Sequence, residues 1–364
     1  MTDLGRSVDP GRAAATYKDV QRETGLSLAT ISKHYNGGTV LAANRIAIED
    51  AARRLGFRPN GFARNLRSRR SGAIGVLLPA LDNDFHLTVI AGVESALREH
   101  GMSVIVASSP DAAAGAVELL RSRMVDGIIA VPSEHDVEPL SRAAEQIPVV
   151  QIDWRASGLR VDGVFLDNQA AGAMAARHLL DHGHEHLAVI GGDPAVSTMR
   201  ERAAGFRAVL DRPGVDAPEP LVLSGPLTAE HGHAAMQRIL VADPRPTAVF
   251  CANYELTLGA VIALNESGLM LGRDLSVLGF DGLELARVTV PKLTVITQPT
   301  HELAVLAADR IRARLAAGGA PDASHDTVDV AVAPRLVAGG SVVRRTPRPP
   351  ARPDRPHALT ARMP

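Results

Sequence analysis

Ten apolar runs recur along residues 72–340, and stretches with helical spacing separate them. The runs are AIGVLLPA, MSVIVASS, GIIAVPS, PVVQID, GVFLDN, HLAVIGGD, PLVLSG, TAVFCAN, LSVLGFDG and LTVITQP. Near-continuous Val, Ile and Leu runs with helices between them are typical of buried parallel strands. Their number predicts two sheets, so we expect an α/β body over these residues.

The pattern over residues 16–59 predicts three short helices instead. Thr16 with Asp19 resembles a capping pair, Gly25 ends the first helix, and Ser27 can cap the second. A third helix over residues 44–56 places its apolar side chains at helical spacing. They are Ile46, Ile48, Ala51, Ala52 and Leu55. Short helices with a tight turn between the first two predict a helix-turn-helix head.

A basic stretch, FRPNGFARNLRSRR, follows the third helix directly. Pro59 permits a new helix start, and Asn60 can cap a short helix there. Arg64, Arg67, Arg69 and Arg70 surround Leu66, which is expected to be an exposed apolar residue. A short basic helix with an apolar wedge suits insertion into the minor groove of DNA. The alternative is a basic linker whose Leu66 packs on the body. We assign residues 60–71 to a hinge helix and linker.

Charge is distributed unevenly along the chain. Residues 1–70 hold 13 basic and 6 acidic side chains, and residues 344–364 hold 6 basic and 1 acidic. Because the whole chain carries −1, residues 71–343 carry −13. A basic head on an acidic body predicts a polyanion that binds one end.

Composition narrows the class of protein further. Cys251 is the single cysteine, so no internal disulfide can form. No apolar run reaches the roughly 18 residues of a membrane span, and residues 1–15 do not resemble a signal peptide. We therefore expect a cytoplasmic protein with a flexible N-terminal extension over residues 1–15. The Pro- and Arg-rich residues 341–364 are expected to be disordered, without leucine heptads.

The motif YKDVQRETGLSLATISKHYNGG and the following NRIAIEDAARRLGFRPNGFARNLRSRRSGAIGVLLP resemble the head, hinge and first body strand of the lactose-repressor/galactose-repressor family. The resemblance implies an all-α helix-turn-helix head, joined by a hinge helix to two doubly wound parallel-sheet lobes of the periplasmic-binding-protein type. It also implies a homodimer on a pseudo-palindromic double-stranded DNA operator. The chain would cross three times between lobe one, about 72–165 and 297–325, and lobe two, about 166–296 and 326–340.

The residues expected to contact DNA come from helix geometry and from this resemblance. Leu28, Ala29 and Lys33 would face the base edges. The resemblance assigns Leu66 to the minor-groove wedge and Asn60 to the hinge-helix start. The full set is Thr16, Tyr17, Ser27, Leu28, Ala29, Thr30, Ser32, Lys33, Asn36, Arg45, Asn60, Ala63, Arg64 and Leu66. Leu41 departs from the family, which often has a Ser or Thr cap there, so the third helix has a weaker start.

Open parallel sheets bind ligands at the carboxyl ends of their strands, which selects the polar and aromatic residues that follow the apolar runs. The expected effector-binding residues are Asp82, Phe85, Asp153, Trp154, Arg202, Asn253, Tyr254, Asp281 and Gln298. Polar groups for hydroxyls and flat rings for a carbohydrate face favour a sugar.

Each of these residues also has a structural alternative. Asp281 and Asn253 could cap helices, Phe85 and Trp154 could lie in a core, and Arg202 could form an ion pair. The resemblance matches Arg202, Asn253 and Asp281 to effector contacts shared by many family members. Tyr254 departs from the usual acidic or polar residue, which leaves a purine effector open.

Two other classes of function are compatible with parts of the body. Asp153 and Asp281 could be the acid–base pair of a sugar-cleaving enzyme, and the body alone could be the solute-binding protein of a transporter. Neither alternative explains the basic head, and no phosphate-binding loop or G-x-S-x-G motif is present. His178 and His182 have metal-like spacing without further ligands. We expect a repressor released by its effector, with no enzymatic activity, cofactor or metal.

Overall fold

The computed structural model of the chain describes residues 15–35, 38–57, 70–81, 84–108, 115–215, 217–318 and 326–345. It consists of two compact units: a head that ends at Ser71 and a body that begins at Gly72. Within the described ranges, no helix is long and apolar enough to cross a membrane.

The head contains the three predicted helices. They are α1 (Tyr17–Thr24), α2 (Leu28–Tyr35) and α3 (Ala42–Leu55). Asp19 accepts hydrogen bonds from Thr16 N at 2.9 Å and Thr16 Oγ1 at 2.7 Å, which fixes the start of α1. Ser27 Oγ accepts from Thr30 N at 3.1 Å at the start of α2. Leu41 precedes α3 without a side-chain cap.

The core of the head is small. Val20, Ile31 and Ile48 are fully buried, one from each helix, and the rings of Tyr17 and Tyr35 pack against Phe57. Ile46 was expected on the same apolar face as Ile48 but is 56% exposed. Side chains two positions apart on a helix point in directions that differ by about 200°. Ile46 therefore points away from the core that Ile48 enters.

The body has two sheets, each with helices on its faces. The strands of lobe one are β1 (Ala73–Leu78), β2 (Ser103–Ser108), β3 (Gly127–Ala130), β4 (Val149–Ile152), β5 (Asp162–Leu166) and β11 (Asp329–Val332). Those of lobe two are β6 (Leu187–Gly192), β7 (Leu221–Gly225), β8 (Ala248–Cys251), β9 (Ser276–Phe280), β10 (Thr294–Thr297) and β12 (Arg335–Val337).

Helices cover both sheets. Those of lobe one are α4 (Asp84–Arg98), α5 (Gly115–Ser122), α6 (Val137–Ala144) and α12 (Thr300–Ala316). Those of lobe two are α7 (Asn168–Asp181), α8 (Ser197–Leu210), α9 (Ala229–Leu240), α10 (Tyr254–Glu266) and α11 (Leu283–Val288). Each sheet separates two clusters of buried apolar side chains.

The strand orders are β11-β5-β4-β3-β1-β2 in lobe one and β12-β10-β9-β8-β6-β7 in lobe two. The pairings are parallel, except that β12 runs antiparallel to β10. The chain passes between the lobes after β5, after β10 and after β11. The expected architecture of two parallel-sheet lobes is confirmed, and each of the ten apolar runs contains a strand.

Two expectations about the C-terminal part are wrong. Residues 326–340 were assigned to lobe two, but β11 pairs with β5 in lobe one, and only β12 joins lobe two. Residues 341–345 were expected to be disordered, but they pack on lobe two. Ser341 is fully buried and donates to Val277 O at 2.6 Å, and His184 Nε2 lies 3.1 Å from Val343 O.

Several expectations concern segments outside the described residues. They are the N-terminal extension up to residue 14, the hinge residues 60–69 and the tail from residue 346. These stay predictions from the sequence.

Candidate functional site

A cavity of about 570 Å³ lies at the carboxyl ends of the strands, with walls from both lobes. Asp153 and Trp154 follow β4 in lobe one, while Asp281 follows β9 in lobe two. This volume is within the range of small-molecule sites. The position is the one expected for ligands of open parallel sheets.

Arg202 forms the polar floor of the cavity and is only 3% exposed. Its Nε donates to Asn168 Oδ1 at 2.8 Å, and its Nη1 donates to Ala252 O at 2.6 Å. Its guanidinium also lies 3.5 Å from the ring centre of Phe280. Desolvation lowers the pKa of Arg202 to about 10, against the opposing effect of Asp281 and Asp153. Arg202 is therefore a fixed cation at neutral pH.

A backbone-to-backbone helix contact fixes the position of Arg202. A Cβ atom added to Gly172 of α7 would lie 1.9 Å from Arg202 O, and one added to Gly205 of α8 would lie 2.0 Å from Gln169 O. Neither site can accept a larger residue without moving the helices apart. The two glycines thus hold α8 against α7 and bring Arg202 within reach of Asn168.

Asp281 and Gln298 form a linked pair in the cavity wall. Asp281 accepts from Gln298 N at 3.0 Å and from Gln298 Nε2 at 2.8 Å. Burial raises the pKa of Asp281, against these hydrogen bonds and Arg202. Asp281 also has a left-handed backbone, with φ of 57°. Such strain in a residue without a glycine's freedom is common at binding sites.

Asp153 has the same left-handed backbone, with φ of 68°. Its carboxylate forms no hydrogen bond with the described residues. Desolvation raises its pKa to about 6; Arg202 opposes the shift and Asp281 adds to it. Asp153 is therefore a carboxylate without a structural partner that faces a ligand-sized space.

Asn253 lines the cavity and also caps a helix. Its Oδ1 accepts from Leu256 N at 3.0 Å at the start of α10. Asn253 therefore has both expected positions, because it caps α10 and also lines the cavity.

Aromatic side chains supply much of the remaining wall. Phe85 and Trp154 come from lobe one, and Tyr254 and Phe280 come from lobe two. Tyr254 packs over Gly282, where an added Cβ would lie 2.4 Å from its ring. These flat faces can cover an apolar ring surface of a ligand.

The structure brings together eight of the nine residues predicted for the effector. The lining residues are Phe85, Asp153, Trp154, Arg202, Asn253, Tyr254, Asp281 and Gln298. Asp82 lies outside the described residues. Among the lining residues missed were the polar side chains Asp84, Thr88, Glu255, Glu284 and Thr300. Asp84, Glu255, Glu284 and Thr300 lie in the first turns of helices that follow strands, a signal that the sequence contained, and Thr88 lies one turn further along α4.

The predicted DNA-binding residues of α2 lie partly on the surface of the head. Leu28 is 39% exposed, and Ser27, Ala29 and Lys33 are exposed as well. Thr30 and Ser32 are half-buried. On α1 and α3, Thr16 and Arg45 are exposed. Tyr17 instead packs its ring 5.1 Å from that of Phe57, centre to centre, so it contributes to the core. Asn36, Asn60, Ala63, Arg64 and Leu66 lie outside the described residues.

The histidines near the end of α7 have structural partners. The rings of His178 and His182 lie 4.3 Å apart, and His182 Nδ1 lies 2.7 Å from His178 O. His184 is buried between Thr247 Oγ1 and Val343 O, and burial lowers its pKa to about 4. The described residues contain no group of three side chains suited to a metal ion.

Comparisons with known proteins agree with this architecture. Residues 71–328 match the family described as periplasmic binding proteins and sugar binding domain of LacI family. The HTH-type transcriptional repressor PurR of Klebsiella pneumoniae (strain 342) is 30% identical over 335 residues, which cover 90% of this chain and 97% of that protein.

Solved structures extend the similarity across the head. The Lac repressor dimer bound to operator and the anti-inducer ONPF aligns with a TM-score of 0.78 and 26% identity, covering 91% of this chain and all of that chain. The transcriptional regulator CelR in complex with cellobiose aligns with a TM-score of 0.65 and 26% identity. The alignment covers 90% of this chain and 99% of that chain. The chain therefore belongs to the LacI family of DNA-binding transcriptional regulators.

Proposed function

We propose that the protein is a homodimeric repressor that binds a pseudo-palindromic operator and releases it when a sugar-like effector occupies the cavity of the body. The observation that carries this proposal is the presence, on one chain, of an exposed recognition helix and a ligand-sized cavity. A similar architecture is found in a relative that is solved as a dimer on operator DNA.

The surface of α2 supports direct reading of bases. Lys33 can donate to guanine acceptors, while Leu28 and Ala29 can contact thymine methyl groups in the major groove. Leu66, with its flanking arginines, is the sequence feature that would open the minor groove between two half-sites.

Homodimer formation is supported by the relative and by exposed apolar groups. Leu87, Leu119 and Met124 of lobe one are between 48% and 63% exposed in the single chain. Two-fold dimers bury the same surface on both copies, which also matches a two-fold operator.

The chemistry of the cavity supports a hydroxylated effector. Carboxylates of Asp153 and Asp281 and the amide of Asn253 can bind hydroxyl groups, and Trp154 offers a flat face. The CelR relative holds cellobiose. A purine is the second candidate, because Phe85 and Tyr254 could stack on a base and PurR is among the relatives.

Effector binding can control DNA affinity because the cavity joins the two lobes. A ligand that contacts Asp153 in lobe one and Asp281 in lobe two favours one arrangement of the lobes over the other. Operator affinity then changes by the difference in ligand affinity between the two states.

Gel-shift titration with an operator selected from random duplexes tests the proposal. Leu66→Ala should weaken specific operator binding at least tenfold and leave effector binding unchanged, since only the wedge is lost.

Operator binding should weaken steeply with increasing salt concentration, because the heads neutralise phosphates. If operator affinity were the same in Leu66→Ala, the wedge would be wrong. If no sugar or purine changed operator affinity, effector control would be wrong.

A further inference from the structure

Negative charge dominates the wall of the cavity. Five carboxylates line it: Asp84, Asp153, Glu255, Asp281 and Glu284. In the part of the chain that the structure describes, Arg202 is the only arginine or lysine among the lining residues. A neutral ligand would leave this imbalance in place.

Arg202 offsets only the inner part of this charge. Both inner carboxylates, Asp153 and Asp281, lie close enough to affect its ionisation. Its hydrogen bonds go to Asn168 and Ala252, so the guanidinium stays at the floor of the cavity. One fixed cation cannot neutralise two carboxylates, and Asp84 and Glu284 are not among the charges that affect its ionisation.

The outer carboxylates converge on Tyr254 from both lobes. Burial raises the pKa of Tyr254, and the charges of Glu255, Asp84 and Glu284 raise it further. Asp84 belongs to lobe one, whereas Glu255 and Glu284 belong to lobe two. Carboxylates from both lobes therefore lie near Tyr254 at the wall of the cavity.

Asp84, Glu255 and Glu284 also make the helix N-termini at the cavity less attractive to anionic ligands. Each lies in the first turn of a helix, namely α4, α10 or α11. Helix N-termini at this edge of a sheet carry partial positive charge and commonly bind phosphate or carboxylate groups. Here acidic side chains offset that charge, which disfavours an anionic ligand such as a sugar phosphate or a sugar acid.

An independent observation comes from the depth of the cavity. Asp153 is half-buried at the cavity wall, has a left-handed backbone and has no hydrogen-bond partner among the described residues. Gln298 Oε1, in the same wall, is a buried acceptor without a hydrogen-bond partner among the described residues, which is costly unless a ligand supplies a donor. A charged donor would stabilise both the Asp153 carboxylate and this oxygen most.

From this arrangement we infer that the effector is an amino sugar, a hydroxylated ring that carries one protonated amine. The inference rests on the proposed function, in which this cavity binds the effector. The ammonium group pairs with the carboxylates, Asp153 above all, while the rings of Trp154 and Tyr254 cover the sugar. The ammonium group also offsets part of the negative charge that Asp84 and Glu284 contribute to the cavity wall.

A panel of matched sugars tests the charge of the ligand. The probes are glucosamine, galactosamine and mannosamine, each with its parent hexose, its N-acetyl derivative and its 6-phosphate, at equal millimolar concentration. At least one of the three amino sugars should raise the midpoint temperature of thermal unfolding. By calorimetry it should bind at least tenfold more tightly than its own parent hexose, N-acetyl derivative and 6-phosphate. The inference is overturned if no amine raises the midpoint, or if a neutral or phosphorylated counterpart binds as tightly.

Charge-neutralising variants test the assigned residues with the amine that binds. Asp153→Asn should weaken its binding at least tenfold, and Glu284→Gln should weaken it several-fold. Glu230→Gln is the matched control, because Glu230 also lies in the first turn of a lobe-two helix but not at the cavity. Equal affinity in Asp153→Asn and Glu230→Gln would remove Asp153 from the ammonium site and overturn the inference.

Gel-shift titration separates this inference from the proposed function. A neutral sugar that changes operator affinity, with no effect of the amines, would contradict the charge assignment and leave the repressor proposal intact. An amine that binds at the cavity without changing operator affinity would support the charge assignment and contradict effector control.

Discussion

Two aspartates on neighbouring strands of lobe one have opposite surroundings. Asp162 begins β5, at the end of the sheet away from the cavity, and Asp153 follows β4 at the end that opens into the cavity. Asp162 is 2% exposed and accepts from Arg310 Nε at 2.6 Å, Arg314 Nε at 2.7 Å and Val328 N at 3.0 Å. Asp153 has no such partner among the described residues.

The pKa values of the two carboxyl groups move in opposite directions as a result. Burial raises both, but hydrogen bonds from Arg314, Val328 and Arg310 more than offset it at Asp162 and lower the pKa. At Asp153 desolvation prevails and the pKa rises to about 6. A buried carboxylate whose donors all come from its own lobe stabilises the fold, whereas one left without donors is suited to a ligand.

Removing the partnered carboxylate should have the largest effect. Asp162→Ala leaves Arg310 and Arg314 partly buried without a counter-charge, and we expect a loss of about 3 kcal/mol in the free energy of unfolding of lobe one. Trp154, the single tryptophan, reports on this lobe in urea titrations followed by fluorescence. The control is Glu138→Ala, which breaks the exposed Arg142–Glu138 pair and should cost about 0.5 kcal/mol or less. Equal losses in both variants would contradict the distinction.

Removing the cation that both inner carboxylates share should mainly affect the ligand. Arg202→Ala should weaken effector binding on the order of 100-fold and leave operator affinity unchanged, because it empties the floor of the cavity and leaves Asn168 unpaired. Calorimetry with the sugar that releases the operator, together with gel shifts, measures both. The exposed Arg207 of the same helix provides the control Arg207→Ala. Unchanged ligand affinity in Arg202→Ala would remove this residue from the site.

Neutralising the unpartnered carboxylate should stabilise the protein in a pH-dependent way. The pKa of Asp153 is raised from 3.8 to about 6, so its charge destabilises the fold above pH 6, and this penalty disappears as the pH falls from 6 to 4. Asp153→Asn should therefore be more stable than the wild type at pH 7, on the order of 2 kcal/mol, with no difference near pH 4.

Chemical unfolding of both proteins across this range measures the difference. His184 contributes the opposite slope, because its lowered pKa of about 4 means that stability is lost as the pH falls from 6.5 to 4. That contribution is common to both proteins and cancels. A constant difference between pH 7 and pH 4 would show that Asp153 does not titrate in this window.

Backbone N–H groups that lack a protein partner but remain accessible to water should have the smallest effect on stability. The first N–H groups of α3 follow Leu41 without a side-chain cap, and Leu41 is 74% exposed. Leu41→Ser should add about 1 kcal/mol of local stability and slow amide exchange in α3 about fivefold, measured in the full chain by mass spectrometry. Leu41→Ala, which adds no acceptor, is the control. Equal exchange in both variants would exclude capping as the cause.

The cavity was largely predictable because its residues follow apolar runs. Asp153 and Asp281 come directly after strands that the hydrophobic pattern locates, and Asn253 comes one residue after another such strand. Phe280 was missed because it is the last residue of β9, and the hydrophobic pattern does not tell which buried ring faces a ligand. Asp162 was missed because its arginines lie 148 and 152 residues further along the chain.

The hydrophobic pattern did not predict the edge strands β11 and β12, for a different reason. β11 and β12 have four and three residues, and most of their side chains are exposed or half-buried. Because few of their side chains are buried, these strands lack the apolar run that marks the four-residue strands of the core. The assignment of residues 326–340 to lobe two failed for this reason.

The sequence by itself determined the three helices of the head, the ten core strands and the residues at the strand ends. Local periodicity and capping chemistry specify these features, since each depends on neighbours a few positions away. Only the tertiary structure decided which lobe holds β11 and which carboxylate has partners. Both depend on contacts between residues far apart in the chain, where the number of donors around a buried charge sets its role.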